Sequence, residues 1–207
     1  MTDNNTADFE SAKSGGISRR TVTKAMAWAV PAIAIAAPVP AFAGASQGIL
    51  TLDGTGCKLP GNSNPTYKGY AFNINVSNTT ANIYFSVRII SVTLDGDDLG
   101  TANVVNMTGC ILIGNPFCVG PGQSLTNLAL VTEGAGSSSN GQLIVTYEVS
   151  QTLMPANNTC NPAAPYGSPL VASTGINDAP PINGASCPAS TFDAAQKACL
   201  ESNFVGP

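Results

Sequence analysis

The chain has 207 residues, with 12 acidic side chains, 8 basic side chains, no histidine and a formal net charge of −4. Without histidine, Ser-His-Asp and Cys-His catalytic arrangements are excluded, and the commonest protein ligand for transition metals is missing. The mildly acidic balance and the scattered basic residues argue against nucleic acid as a partner.

The first 43 residues are predicted to be a cleavable signal peptide. A basic stretch precedes an Ala-rich apolar segment, residues 25–37, and a small-x-small sequence ends at Ala43. These are the three parts of such a peptide, so signal peptidase is expected to cut before Gly44. The alternative, a retained membrane anchor, is less favoured because three prolines interrupt residues 25–43. The residues assigned to the signal are Arg19, Arg20, Lys24, Ala41 and Ala43.

The basic stretch Ser18-Arg19-Arg20-Thr21-Val22-Thr23-Lys24 resembles the twin-arginine export signature S-R-R-x-F-L-K, from which it departs at Val22 and Thr23. The leader as a whole also resembles those of secreted actinobacterial proteins. These resemblances imply the export machinery as a partner and a secreted or cell-surface location. The general secretory route remains the alternative.

All six cysteines follow the expected cut. An even number of cysteines in an exported chain predicts three disulfide bonds. Cys110 and Cys118 are predicted to pair with each other, because a turn at Gly114-Asn115-Pro116 lies between them. The other four are expected to join the first loop to the C-terminal segment, with their pairing left open: Cys57, Cys160, Cys187 and Cys199.

Apolar residues alternate with polar ones in three stretches, residues 70–76, 83–89 and 143–149, which is typical of half-buried β-strands. The second pattern slips by one position, to Ile90, Val92 and Leu94, and a slip of this kind predicts a β-bulge or a strand break. Turn residues separate about seven short apolar stretches. The sequence therefore predicts an all-β protein, with an immunoglobulin-like β-sandwich over residues 44–153. A small barrel or jelly roll is the alternative.

Residues 154–207 are rich in proline and asparagine and contain three cysteines. They are predicted to be a disulfide-stapled, mostly irregular extension that lies on the sandwich. Near its end, residues 192–201 are predicted to form a short helix capped by Ser190 or Thr191. The apolar stripe of this helix would be Phe192, Ala195 and Cys199.

The stretch from Phe72 to Leu94, followed by Gly120-Pro121-Gly122-Gln123-Ser124, resembles bacterial surface domains of the immunoglobulin-like type. Those domains have an Asn-containing strand end and, after a second strand, a Pro-Gly-Gln or Pro-Gly-Glu turn. The resemblance covers residues 70–150. It implies a fold and an extracellular setting, and it implies no active site.

One acidic cluster, Asp95-Gly96-Asp97-Asp98, raises the question of a calcium site. Asp-Gly is also a strong signal for a hairpin turn, which is the favoured interpretation; a weak calcium site at Asp95, Asp97 and Asp98 is the alternative. Sugar stacking on an aromatic ring is a further hypothesis, for which Tyr67 and Tyr166 are the loop candidates. No catalytic or cofactor-binding residue is predicted.

The predicted function is non-enzymatic surface contact, such as adhesion or the binding of a cell-envelope or protein partner. The prediction depends on the leader, the six cysteines, the strand pattern and the missing catalytic groups. The alternative is a small secreted enzyme or enzyme inhibitor that uses loops at one end of the sandwich.

Overall fold

The computed structural model describes residues 48–59, 69–134, 140–153, 160, 162, 165–183 and 187–203. The predicted signal peptide, with Arg19, Arg20, Lys24, Ala41 and Ala43, lies outside the described residues, as does Tyr67. Residues 45–207 form one compact unit. Its helix Ala194–Asn203 has ten residues, and no helix in the described part of the chain is long and apolar enough to cross a membrane.

Ten strands and one helix make up the described fold. The strands are β1 Leu50–Lys58, β2 Tyr70–Ser77, β3 Ile83–Leu94, β4 Asp97–Asp98, β5 Ala102–Asn106, β6 Ile111–Gly114, β7 Phe117–Val119, β8 Ser124–Thr132, β9 Gly141–Leu153 and β10 Leu170–Ile176, and the helix is α1 Ala194–Asn203.

The strands form two antiparallel sheets. Sheet I has the order β1-β2-β8-β5-β6, and sheet II has the order β10-β9-β3-β4, with β7 also paired to β3. The seven main strands are β1, β2, β3, β5, β8, β9 and β10. If they are lettered A to G in this order, sheet I contains the strands in the order ABED and sheet II in the order GFC. This agrees with the immunoglobulin-like type. The prediction of an all-β sandwich is confirmed.

The main core lies between the two sheets, as the alternating patterns predict. On β2, Phe72 and Ile74 are fully buried, and on β9 so are Val145 and Tyr147; all four belong to one cluster. The ring of Tyr70 stacks on that of Phe72, with the centroids 5.6 Å apart. Burial of these large side chains is the main source of favourable folding free energy.

The slip predicted in β3 is confirmed as a bulge. The register with β9 shifts between Ile89 and Ser91, so that Ile89 and Val92 both reach the core. The extra residue turns the side chain of Ile90 outward, where 48% of it is exposed. The expectation that Ile90 belongs to the buried face is therefore wrong, because the bulge takes up the phase change at that residue.

The asparagine just after β2 and the Pro-Gly-Gln turn lie in contact. The backbone N–H of Asn78, just after β2, donates to the carbonyl oxygen of Gln123 at 2.8 Å. The Asn78 side chain is buried and donates to the carbonyl oxygens of Ile83 and Val119. This asparagine therefore connects the end of β2 to β3, β7 and the Pro-Gly-Gln turn.

The chain passes from sheet I to sheet II between β6 and β7, at Asn115. The Asn115 side chain accepts a hydrogen bond from the N–H of Ile89 and donates to the carbonyl oxygens of Ile89, in sheet II, and Ala102, in sheet I. One amide side chain thus ties the two sheets together at the crossing.

We expect Asn115→Ala to lower the free energy of unfolding by about 3 kcal/mol, because three backbone groups lose a partner worth about 1 kcal/mol each. Equilibrium denaturation in guanidinium would measure the loss. Asn103→Ala on β5 is the matched control, expected to cost less than about 0.5 kcal/mol. Equal losses in the two variants would contradict the bridging role of Asn115.

The predicted pairing of Cys110 with Cys118 is wrong. The disulfides are Cys57–Cys187, Cys110–Cys199 and Cys118–Cys160. Cys110 lies in the turn before β6 of sheet I, whereas Cys118 lies on β7, which pairs with β3 of sheet II. The crossing at residue 115 therefore separates two cysteines that are close in sequence. Cys57, expected in a loop, lies within β1.

The boundary predicted at residue 153 also needs correction. Strand β10 pairs with β9 from Leu170 to Ile176 and completes sheet II, so the sandwich continues beyond the predicted start of the extension. The prolines that suggested an irregular segment flank this strand, at Pro169 and Pro180, and leave its ladder intact.

The segment after β10 forms a layer that we call the cap, residues 177–183 and 187–203. The cap covers apolar residues on the outer face of sheet I and forms a second core with them. Two of the disulfides, Cys57–Cys187 and Cys110–Cys199, join it to that sheet. Fully buried Phe192, Ile182 and Leu200 are its largest apolar contributions. The prediction of a stapled C-terminal extension is confirmed for this part of the chain.

The predicted terminal helix is confirmed, and its start is corrected. Helix α1 begins at Ala194 and is capped by Asp193, whose carboxylate accepts from the N–H of Gln196. Neither Ser190 nor Thr191 is the cap, since the chain makes a turn at 189–191 before the helix. Ala195 is exposed, and Cys199 and Leu200 form the buried side of the helix.

Two buried phenols make the fold sensitive to alkaline pH. Burial raises the pKa of Tyr70, and the nearby Asp97 carboxylate adds to the effect. Burial also raises the pKa of Tyr147, partly offset by hydrogen bonds with the backbone of Leu50 and Ile49. The unfolded chain therefore releases these protons at lower pH than the folded chain does.

We expect the free energy of unfolding to be constant below about pH 9 and to fall as the pH rises beyond about 10, the ordinary tyrosine value. Guanidinium denaturation over this range would measure the decline, and Tyr70→Phe should make it shallower. If Tyr70 and Tyr147 ionised at the ordinary tyrosine pKa in the folded protein, this account would be wrong.

Candidate functional site

The acidic cluster at residues 95–98 forms a hairpin turn, as the favoured interpretation predicts. Asp95 and Gly96 have φ angles of 52° and 87° and connect β3 to β4, with Leu94 paired to Asp97. Positive φ at both central positions is typical of the hairpin turn that Asp-Gly favours. The carboxylate of Asp98 accepts from the N–H of Gly100 at 2.9 Å. The described residues contain no group of three or more Asp, Glu, Cys or His placed to hold a metal ion.

Tyr166 is held against sheet II. The guanidinium of Arg88 lies over its ring, 4.1 Å from the centroid. Its hydroxyl donates to the carbonyl oxygen of Pro162 at 3.1 Å and shares a hydrogen bond of 3.0 Å with the hydroxyl of Ser86. Because Arg88 also pairs with Glu148 and occupies one face of the ring, Tyr166 does not offer that face to a sugar.

The strongest candidate site is a polar cleft of about 300 Å³ on the outer face of sheet I, beside the start of α1. We call it the polar cleft. Side chains from sheet I form its floor, and residues of the cap form its wall. The polar side chains that line it include Asp53, Asn73, Asn75, Asn127, Asp193 and Gln196.

The cleft exists because the cap covers only part of sheet I. Along the outer face of β2, Ala71 is small, apolar and buried beneath the cap, whereas Asn73 and Asn75 are polar and only half-buried. The Asn73 amide donates to the carbonyl oxygen of Thr191 at 2.7 Å and to the hydroxyl of Thr55 at 3.1 Å. Asn73 therefore marks the edge of the cap, and Asn75 lies beyond it.

A bulge in β8 brings Asn127 to the cleft. The register between β2 and β8 shifts after Ile74, and Asn127 adopts a φ of 65°. Asparagine accepts this left-handed conformation more readily than most residues. Its carbonyl oxygen accepts from the N–H of Met107 at 2.9 Å, and its side chain donates to Thr108 at 3.2 Å. The bulge redirects one polar side chain without breaking the sheet.

The first turn of α1 supplies the wall of the cleft. Asp193 and Gln196 form a capping box, in which each side chain accepts a hydrogen bond of 2.8 Å from the backbone N–H of the other. The Gln196 side chain then donates to the amide oxygen of Asn127 at 2.7 Å. One glutamine thus caps the helix and joins the cap to the floor of the cleft.

On the opposite side, the Asn75 amide donates to the carboxylate of Asp53 at 2.7 Å, between neighbouring strands β2 and β1. Two carboxylates, Asp53 and Asp193, line the cleft, and no lysine or arginine is among its lining residues. The cleft is therefore rich in amides and acceptors and suited to a neutral polar ligand.

The sequence did not identify this site. The alternation of β2 predicts Asn73 and Asn75 only as the polar face of a strand. The signals available in the sequence were the repeated asparagine on one strand face and the capping-box spacing of Asp193 and Gln196. Comparison of the chain with protein-family models and with curated proteins finds no match.

Proposed function

We propose that the mature chain is an extracytoplasmic protein that acts by non-covalent surface contact and not by catalysis. The observation that carries the proposal is the polar cleft, whose wall is fixed to its floor by the hydrogen bond from Gln196 to Asn127 and by the two disulfides of the cap. A binding site that is held in place before its ligand arrives loses less conformational entropy on binding.

The proposed location is supported by the disulfides and by the leader. Three intramolecular disulfides fit an oxidising compartment outside the cytoplasm. The signal peptide, the twin-arginine route and the actinobacterial origin are parts of the same proposal and derive from the sequence of residues 18–43. The proposed partner is a component of the cell envelope.

The chemistry of the cleft supports contact over catalysis. The chain has no histidine, so the commonest general base is missing. The carboxylate of Asp193 is engaged in capping α1, and that of Asp53 accepts a hydrogen bond from Asn75. Both carboxylates have structural roles in the cleft that require no reaction.

Co-sedimentation of the native secreted protein with washed cell-wall fragments of the producing bacterium tests the proposal. We expect saturable retention, and we expect the reduced and alkylated protein to lose it because the cap is released. Retention no greater than that of an inert protein of similar size would overturn the contact function. Turnover in a hydrolase panel that disappears with the Asp53→Asn variant would point to catalysis instead.

A further inference from the structure

We infer that the polar cleft binds a neutral, hydroxyl-rich oligosaccharide. The inference rests on the proposed contact function and names the chemical class of its ligand. It places the sugar on the outer face of sheet I, away from Tyr166, which lies against sheet II.

Charge excludes the anionic ligands. Among the residues that the structure describes, the lining contains the carboxylates of Asp53 and Asp193 and no basic side chain. The Lys197 ammonium donates to the carbonyl oxygen of Cys187 within the cap, and Lys58 lies over the ring of Tyr70. A phosphate or uronic acid in the cleft would therefore meet two negative charges without a compensating cation.

Hydrogen-bonding capacity favours hydroxyl groups. A sugar hydroxyl both donates and accepts, and a side-chain amide does the same through its NH₂ and its carbonyl oxygen. Asn75 uses one of its two N–H groups on Asp53, which leaves the second N–H and the carbonyl oxygen for a ligand. The second carboxylate oxygen of Asp53 and the exposed hydroxyl of Ser190 add an acceptor and a donor.

The polar side chains are already oriented. Asn75 is held by Asp53, Asn73 by Thr191, and Gln196 by Asn127, each through a hydrogen bond of 2.7 Å. Side chains that are fixed in this way keep their remaining donors and acceptors in place, which is the property of a prepared binding site. No aromatic ring lines the cleft, so hydrogen bonds set the affinity, and we expect a dissociation constant of about 1 mM.

A titration of the isotope-labelled mature protein, followed by NMR, tests the inference with defined probes. We expect at least one neutral trisaccharide, cellotriose or triacetylchitotriose, to shift the signals of Asn73, Asn75 and Asn127. The anionic trimer of galacturonic acid should leave them unchanged. Asn75→Ala should weaken binding of the neutral sugar at least about tenfold, and Asn103→Ala, half-buried on β5 outside the cleft, should not.

The outcomes separate this inference from the contact function. If neither neutral sugar shifts the cleft signals, or if Asn75→Ala binds as the wild type does, the oligosaccharide inference is overturned. If wall fragments still retain both the wild type and Asn75→Ala, the contact function stands and uses another surface. Retention that is lost after protease treatment of the fragments would identify a protein partner and would also reject the sugar.

Discussion

Replacing Cys57 and Cys187 together by alanine is expected to lower the free energy of unfolding by about 5 kcal/mol. The disulfide closes a loop with a sequence separation of 130 residues. Removing a bond of this span returns about 5 kcal/mol of chain entropy to the unfolded state. Both cysteines are fully buried in the second core, so the cap also loses its covalent attachment to β1.

Equilibrium denaturation in guanidinium would measure this loss, and removal of the Cys118–Cys160 bond is the matched control. That bond has a sequence separation of 42 and is expected to contribute about 4 kcal/mol. It holds residue 160 against β7 of sheet II, so its loss should leave the polar cleft and any wall retention intact. Suppose that removing the Cys57–Cys187 bond lowered the free energy of unfolding by less than about 1 kcal/mol and that wall fragments still retained the protein. The cap would then not be fixed by this bond.

Phe72→Ala is expected to destabilise the protein by about 3–5 kcal/mol, the usual cost of removing a buried phenylalanine ring. Phe72 is fully buried between the sheets, stacks on Tyr70 and lies where a side chain on Gly56 would collide with it. The neighbouring backbone at Gly56 cannot move into the cavity without breaking the pairing of β1 with β2. The cavity would therefore remain largely open.

The denaturation midpoint of Phe72→Ala should be compared with that of Leu153→Ala, whose side chain is 70% exposed at the end of β9. The control should change the free energy of unfolding by less than about 0.5 kcal/mol. A loss below about 1 kcal/mol for Phe72→Ala would show that the space between the sheets is not filled as described.

Strand patterns were the most predictable part of this fold. On β2 and on residues 143–149 of β9, large apolar residues recur at every second position, and burial of one face follows directly from a period of two. The slip in β3 is a local event that leaves a mark in the sequence, so the bulge could be placed to within one residue. The even number of cysteines likewise indicated three disulfides.

Disulfide pairing could not be derived in the same way. Cys110 and Cys118 are eight positions apart, but the chain changes sheets at Asn115, and that crossing depends on hydrogen bonds to Ile89 and Ala102. Such contacts join residues that are distant in sequence.

Strand β10 was missed for a related reason. The flanking prolines suggested irregular structure, and the short alternating stretch between them becomes evident as a strand only through its pairing with β9.

The candidate site depends on three distant segments meeting. Asn75 comes from β2, Asn127 from a bulge in β8 and Gln196 from the first turn of α1. The bulge follows from the register of β2 against β8, and the position of Gln196 follows from how the cap lies on sheet I. Neither relation leaves a local pattern, whereas the capping box between Asp193 and Gln196 does.

The most direct test of the stapled cap, on which the polar cleft depends, is a non-reducing peptide map of the native protein after alkylation of free thiols. We predict three cross-linked peptide pairs, which join Cys57 to Cys187, Cys110 to Cys199 and Cys118 to Cys160, and no alkylated cysteine. A link between Cys110 and Cys118, or alkylation of Cys187 or Cys199, would contradict the account, because the cap would then lack at least one of its two covalent links to sheet I.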